Sequence, residues 1–427
     1  MIGTAFASGF VLLKPRGAVD WTAARAVVIE SDDWGLCGFT PSRGALDSID
    51  IEAICPGEFP PVYLYSTLED GATVARLADL LSAHPGRDGV PAVFQPNYIM
   101  GSLSYAASTP DNTDRIWRRA ILPSLPEKYG RDDLWPAVRQ AIAAGVWWPE
   151  YHGMWHYDPE DRRTTVAGNG EAQDAARLGL LIFPDGARSY ELALDRDPEE
   201  LIAELREGMG AFAKLFGRAP QSVAAPDYAW DRLRERMWLR EGLRIIQAKR
   251  EQRSLSKLEV TIWDRIWKVC ERSWRYLTEK EIVYLNRNCR LEGAQAEDSS
   301  RHASTCIESV QRAWRSGEPA IVGTHRVNYA HFDPETVDVG FAALVHVLDQ
   351  LGGDPEHEPI YLTDVETAQL LRSGTSLRSS GQRLVLRNLT HSRRPVRLPA
   401  TDGRSMGIVW LSPRTTHIID LPYAAAD

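Results

Sequence analysis

The chain has 427 residues, 44% hydrophobic and 25% charged, a globular composition with room for one large α/β domain and a small appendage. Its 49 basic and 58 acidic side chains are mixed along the chain and leave a net charge of −9, which argues against a basic face for nucleic acid or anionic membrane. Five scattered cysteines (Cys37, Cys55, Cys270, Cys289, Cys306) without CxxC spacing argue against a disulfide framework or a structural Cys–zinc site.

The opening run MIGTAFASGFVLL is apolar but has no basic residue ahead of it, so no cleaved signal peptide is expected. No apolar run reaches the roughly 20 residues of a membrane-spanning helix, and the expectation is a cytoplasmic protein. Strand-like runs follow at 26–30 (AVVIE), 90–95 (VPAVFQ), 145–151 (GVWWPEY), 222–226 (SVAAP), 243–248 (LRIIQA), 281–286 (EIVYLN), 319–325 (PAIVGTH) and 359–363 (PIYLT). Helix-period stretches lie between them. In 198–216, Leu201, Ile202, Leu205, Met209, Phe212 and Leu215 recur at three- and four-residue steps before a stop at Gly217. Over 337–351, Val339, Leu344, Val347 and Leu348 do the same before Gly352-Gly353.

Such alternation predicts a parallel sheet with helices outside, and seven or eight units suit a closed or nearly closed (β/α) barrel. Chemistry then belongs at the C-terminal ends of the strands. From about 376 the pattern changes to short alternating runs split by Pro and Gly (QRLVLRNLT, PVRLPA, GIVWL, HIIDLP), which predicts a β-rich appendage over 376–427 behind a barrel over 1–375.

Two features point to a metal. The first strand ends in Asp32 and Asp33, adjacent acids whose burial is costly unless a cation or a proton sits between them. EYHGMWHYDP carries His152 and His156 four residues apart, a spacing of about one helical turn that would set both imidazoles on one side of the backbone. Two imidazoles and a carboxylate make an open site for zinc or another first-row divalent ion.

The segments SDDWG, HGMWH, AAPDY and GTHRVNY, in this order and spacing, resemble the polysaccharide deacetylase (NodB-homology) superfamily over about residues 26 to 365. The resemblance implies a distorted (β/α) barrel of about seven strands and a metal-dependent deacetylase. It implies Asp33, His152 and His156 as metal ligands, Asp32 as general base and His325 as general acid. The ion would be Zn2+ in first place, with Co2+, Ni2+ or Mn2+ accepted by the same ligands. The substrate would be a carbohydrate or other N-acyl small molecule losing an acetyl or small acyl group. Another C–N or glycosidic hydrolase on the same barrel, or a catalytically dead carbohydrate-binding protein, are the alternatives. Oligomeric state is not specified.

The pattern departs from the family in two places. Ala224 stands where an Arg usually orients the base, and Arg287 in YLNRNC is the candidate replacement, against an ordinary surface arginine. Trp34 intervenes between the diacid and Gly35. Asp227 and Tyr228 of the PDY piece are candidates for substrate or oxyanion contact, the latter through its backbone N–H. Trp34 and Asn328, with Arg326 and Tyr329, are further candidates for the substrate. Glu150 or Asp158 could accept the second ring nitrogen of a ligating histidine. Asn97 and Tyr98 could line the rim, and His331 is near in sequence only. Packing or surface roles are expected for His84, His302, His346, His357 and His391.

Overall fold

A computed structural model describes residues 19–37, 39–54, 61–105, 117–181, 191–192, 195–249, 281–353, 358–380, 383–401, 404–405 and 407–421. The apolar opening run, Cys55, Cys270 and His357 lie outside the described residues. Each of the eight strand-like runs holds a strand: β1 (Ala26–Trp34), β2 (Phe94–Ile99), β3 (Glu150–Gly153), β4 (Ser222–Ala224), β5 (Ile245–Ala248), β6 (Val283–Asn286), β7 (Ala320–His325) and β8 (Ile360–Tyr361).

These strands pair in parallel in the order β6-β5-β4-β3-β2-β1-β7, and β8 joins the foot of β1. The chain leaving β6 changes partners at Arg287. The Arg287 N–H donates to Ala248 of β5 at 2.9 Å, and the Asn288 N–H donates to Ile321 of β7 at 3.2 Å. Cys289–Arg290 then pairs in parallel with β7. One stretch, 283–290, therefore bonds to both ends of the sheet and closes it as a distorted (β/α) barrel of seven strands, with β8 accessory.

The helices form where capping and periodicity agree. Pro198–Phe216 (α1) starts at Asp197, whose carboxylate accepts from the Glu199 and Glu200 N–H groups, and stops at Gly217 in the left-handed region. Pro334–Gly352 (α2) begins three residues before the periodicity shows, because Asp333 caps it and Pro334 fits its first turn. Asp364–Ser373 (α3) opens with a capping box from Thr363 and Glu366.

Alternation along β1 separates two environments. Val27 and Ile29 join the large core beneath the outer helices, while Ala26 and Val28 join a second cluster with Ile245, Val283, Leu285 and Ile321. Above that cluster the same inward parity places Glu30 and then Asp32.

An antiparallel hairpin, Gly101–Tyr105 with Trp117–Ile121, is absent from the sequence reading. Its second strand, WRRAI, is half-exposed and lacks apolar alternation. Beyond α3, Thr375–Ser380, Arg383–Asn388 and Thr415–Asp420 form an antiparallel sheet, and Arg394–Arg397 pairs with Ile408–Leu411. We propose that the chain divides into a barrel domain over 1–375 and a β-rich appendage over 376–427. Cys37, Cys289 and Cys306 are buried free thiols. Among the described residues no helix is long and apolar enough to cross a membrane.

Candidate active site

Two adjacent acids on a regular strand would face opposite ways. In β1 the pairing with β2 slips by one residue between Ser31 and Trp34, and Asp33 adopts φ 72°. This bulge turns the Asp33 carboxylate toward the barrel mouth that Asp32 already faces. Both are buried, at 2% and 6% exposure.

The histidines arrive from β3. His152 lies within the strand and His156 in the bend beyond it, so the helical-turn reason for their spacing is incorrect. Gly153 at φ 140° redirects the chain instead, and a Cβ there would stand 2.6 Å from Glu191 Oε1. Glu191 holds the bend by accepting from the Trp155 N–H at 2.5 Å. Asp33 Oδ1 lies 3.3 Å from His152 Nε2 and 3.2 Å from His156 Nε2.

The donor set fits a divalent ion. The three ligand atoms lie within 4.8 Å of one another, as ligation at roughly 2.0–2.2 Å requires. His152 Nδ1 stands 2.8 Å from the Ala224 carbonyl, which can only accept, so Nδ1 donates there and Nε2 is the atom turned toward Asp33. That outer partner is a backbone carbonyl, not a carboxylate. Glu150 instead accepts from Trp148, Arg218 and the Gln221 and Ser222 N–H groups, and Asp158 caps the helix Pro159–Ala167.

Arg287 is not a surface arginine. It is 9% exposed and grips Asp32 with both ends of its fork, Nη1 to Oδ2 at 2.6 Å and Nη2 to Oδ1 at 2.7 Å. Gly323 of β7 makes room, since a Cβ there would lie 2.7 Å from Arg287 Cδ. Asn97 adds a third hydrogen bond to Asp32 Oδ1 at 2.8 Å. Burial pushes the Asp32 carboxyl up, but Arg287 and the nearby histidines outweigh it and hold the group well below the usual carboxylate range. Asp32 therefore stays ionised.

His325 ends β7 in register with Asp32, with Nε2 at 3.8 Å from Asp32 Oδ2. Its Nδ1 meets Glu292 Oε1 at 2.5 Å. Glu292 is itself fixed, accepting at Oε2 from Asn328 at 2.6 Å and Gln295 at 2.9 Å. Burial alone would lower the His325 pKa, but the Glu292 charge and hydrogen bond dominate and raise it to about 9.

Several expectations are corrected. Trp34 is fully buried against Phe94 and Trp147, because the bulge returns it to the outer face of the strand. Asn328 is 1% exposed and holds Glu292 and the Ala294 N–H, so it cannot meet a ligand. The Tyr228 N–H donates to Ala225 O at 2.9 Å and is no oxyanion donor. Its hydroxyl accepts from Arg287 and lies 3.5 Å from Asp32 Oδ2, while Asp227 and Tyr228 both hold positive φ. Asn97 is buried within the barrel rather than at the rim, and Tyr98 packs on Phe216. Arg326 and Tyr329 are also core, and His331 bonds Val62 O. Asp227 is half-buried, and its charge reaches His156.

Sequence reading missed Glu292, which stands in an unremarkable CRLEG segment, and Tyr63, half-buried near Asp33 and Glu292, where burial first and then those two charges raise its phenol. Glu30 was readable, being two residues before Asp32 on the same strand.

No protein-family model matches the chain, and no curated protein matches it. Among solved structures it is similar to a putative polysaccharide deacetylase from Mycobacterium smegmatis, with TM-score 0.39 and 11% identity over 82% of this chain and 91% of that one. It is also similar to the carbohydrate deacetylase Agd3, with TM-score 0.42 and 9% identity over 93% of this chain and 65% of that one. A third is 4-alpha-glucanotransferase from Thermococcus litoralis, with TM-score 0.39 and 8% identity over 79% of this chain and 39% of that one. Polysaccharide deacetylases are among the structures it resembles. At these identities the likeness assigns no activity, and the chain's own residues must carry it.

Proposed function

We propose that the protein is a metal-dependent hydrolase that removes an acetyl or other small acyl group from an N-acyl amino sugar or related carbohydrate. The observation that carries this reading is the convergence on one barrel mouth of three groups of distinct chemistry. These are the open donor set Asp33–His152–His156, an ionised Asp32 clamped by Arg287, and a His325 held protonated by Glu292. A divalent ion held by Asp33, His152 and His156 would polarise the acyl oxygen and acidify a water.

Asp32 sits beside that donor set with its oxygens oriented by Arg287 and Asn97, suited to accept the water's proton as it adds to the amide carbon. An amine leaves only once protonated. His325, across from Asp32 and with Nδ1 committed to Glu292, offers its Nε2 proton to that nitrogen. Arg287 takes the place of the family's usual base-orienting arginine, reaching Asp32 from a different strand. Asp227, Tyr63 and the Tyr228 ring are the side chains we assign to the substrate rim.

Elemental analysis of the purified protein, followed by acetate release from a panel of N-acetyl sugars with and without chelator, tests the reading. We expect a bound divalent metal, chelator-sensitive acetate release, and a kcat at least 10²-fold lower in Asp32→Asn with metal retained. Undiminished turnover in the metal-free protein would overturn it.

A further inference from the structure

Glu30 lies two residues before Asp32, faces the same barrel interior, and is 0% exposed. Its Oε2 accepts from Arg287 Nε at 2.5 Å, while its Oε1 has no partner. Asp364, also 0% exposed, enters from the first turn of α3. Its Oδ2 accepts from Gln95 and from Ser222, each at 2.6 Å, and its Oδ1 has no partner. Two buried carboxylates thus keep one idle oxygen each, and they are neighbours: Gln95, the register partner of Glu30 on β2, donates to Asp364 Oδ2, and the Asp364 charge acts on Glu30.

Two idle buried acceptors are costly, and two anions side by side in a dry interior repel. The Arg287 cation is already shared with Asp32. One proton held between Glu30 and Asp364 removes both penalties, because the hydroxyl of one acid donates to the idle oxygen of the other. We propose that Glu30 and Asp364 share a single proton, and that this acid pair is the positioning element that fixes Arg287 and, through it, Asp32.

The remaining contacts make the pair one wall of a closed polar cage. Ser222 Oγ accepts from Gln247 Nε2 at 2.7 Å, and Gln247 Oε1 accepts from Asn97 at 2.7 Å and from Arg287 Nη2 at 2.8 Å. Arg287 is therefore held from below by Glu30 and from the side by Gln247, leaving its fork no second orientation. The charged groups facing the pair are Arg287, with Asp32 beyond it, and Glu150, whose charge and that of Asp364 act on each other while Arg218 neutralises Glu150. Burial first, then Asp364, drives the Glu30 carboxyl well above its usual range, and Arg287 opposes without reversing it.

The linkage has a definite sign. The folded chain keeps a proton that the unfolded chain releases above the ordinary carboxyl value, so this pair's contribution to stability fades as pH rises through the Glu30 folded value. The full-length protein, Glu30→Gln, Glu30→Ala and Asp364→Asn are compared by urea unfolding from pH 5 to 9 and by acetate release with metal content measured. Glu30→Gln should fold, its amide donating to Asp364 Oδ1 while its carbonyl accepts from Arg287, and Asp364→Asn should fold by the reciprocal arrangement. Relative to Glu30→Gln, the wild-type unfolding constant should rise with pH by up to about tenfold per unit. Glu30→Ala should unfold far more readily at every pH.

In the catalytic readout, which rests on the hydrolase reading, Glu30→Ala should lower kcat by about 10²-fold with KM and metal unchanged, and Glu30→Gln should restore it. Glu30→Gln as unstable as Glu30→Ala, or wild type and Glu30→Gln with parallel pH dependence, overturns the shared proton. Wild type that hydrolyses no N-acyl sugar while the unfolding results hold removes the hydrolase reading and leaves the shared proton standing.

Discussion

Single contacts govern the chemistry proposed for the barrel mouth. Arg287 contributes two parallel hydrogen bonds to Asp32, a geometry that a lysine ammonium cannot reproduce. Arg287→Lys should therefore lower kcat by about 10²-fold while metal content stays at the wild-type level, as read by steady-state kinetics and elemental analysis. In the proposed reaction Glu292 should set the alkaline limit. The proposed acid role needs His325 protonated, and with its pKa raised to about 9, activity should persist into that range and fall above it. In Glu292→Gln the raising charge is gone, so the alkaline limb of kcat against pH should move down toward the ordinary histidine value of about 6.5. An unmoved limb would remove His325 from the acid role. Asp32 and Asp33 were legible as a special pair from their adjacency alone. Their anchoring was not, because Arg287 lies 255 positions from Asp32 in the chain and nothing local to NRNC marks it as buried.

Elements position these residues through a few close approaches. Strand β7 passes over Arg287 only because residue 323 has no side chain. Gly323→Ala should destabilise the fold by about 1–3 kcal/mol in urea unfolding and should lower kcat together with stability, since the displaced Cδ carries the guanidinium with it. Helix α3 joins two layers. Its Asp364 enters the barrel, and its Glu366 meets the fully buried Arg387 of the strand Arg383–Asn388. Arg387 Nε also bonds Asp88 Oδ2 at 2.8 Å, in the loop ahead of β2. Arg387→Leu takes the nearer cation from two acids, leaving Glu366 only Arg378 Nε at 3.6 Å, and should cost about 3–5 kcal/mol by chemical denaturation, without moving Asp33, His152 or His156. A loss near zero would show that the C-terminal strands are not needed by the barrel. The repeating patterns of strands and of α1 and α2 were readable because burial imposes periods of two and 3.6 on the sequence. The strand pair formed by residues 101–105 and 117–121 carried no such period and went unread.

At the scale of the whole molecule, the barrel interior is layered. An apolar plug with Val28, Ile245 and Val283 lies below, a polar cage around Arg287 and Gln247 lies in the middle, and Asp33, His152, His156 and His325 lie at the mouth. An ion that binds the folded chain alone adds stability in proportion to the logarithm of its concentration over Kd. Chelation should therefore lower the thermal midpoint of the wild type and leave that of Asp33→Ala unchanged, as scanning calorimetry can measure. Equal shifts in both proteins would count against Asp33 as a ligand.

The sequence by itself determined the order and type of the barrel strands and of α1 and α2, the diacid at a strand end, and the histidine pair. Each of these is written in residues a few positions apart, where periodicity and capping act. Only the tertiary structure decided that residues 283–290 close the ring, that Arg287 partners Asp32 and Glu292 partners His325, and that Trp34 and Asn328 are buried. Charges and hydrogen bonds depend on distance through space, and a chain that returns to the same mouth seven times makes neighbours that no sequence spacing records.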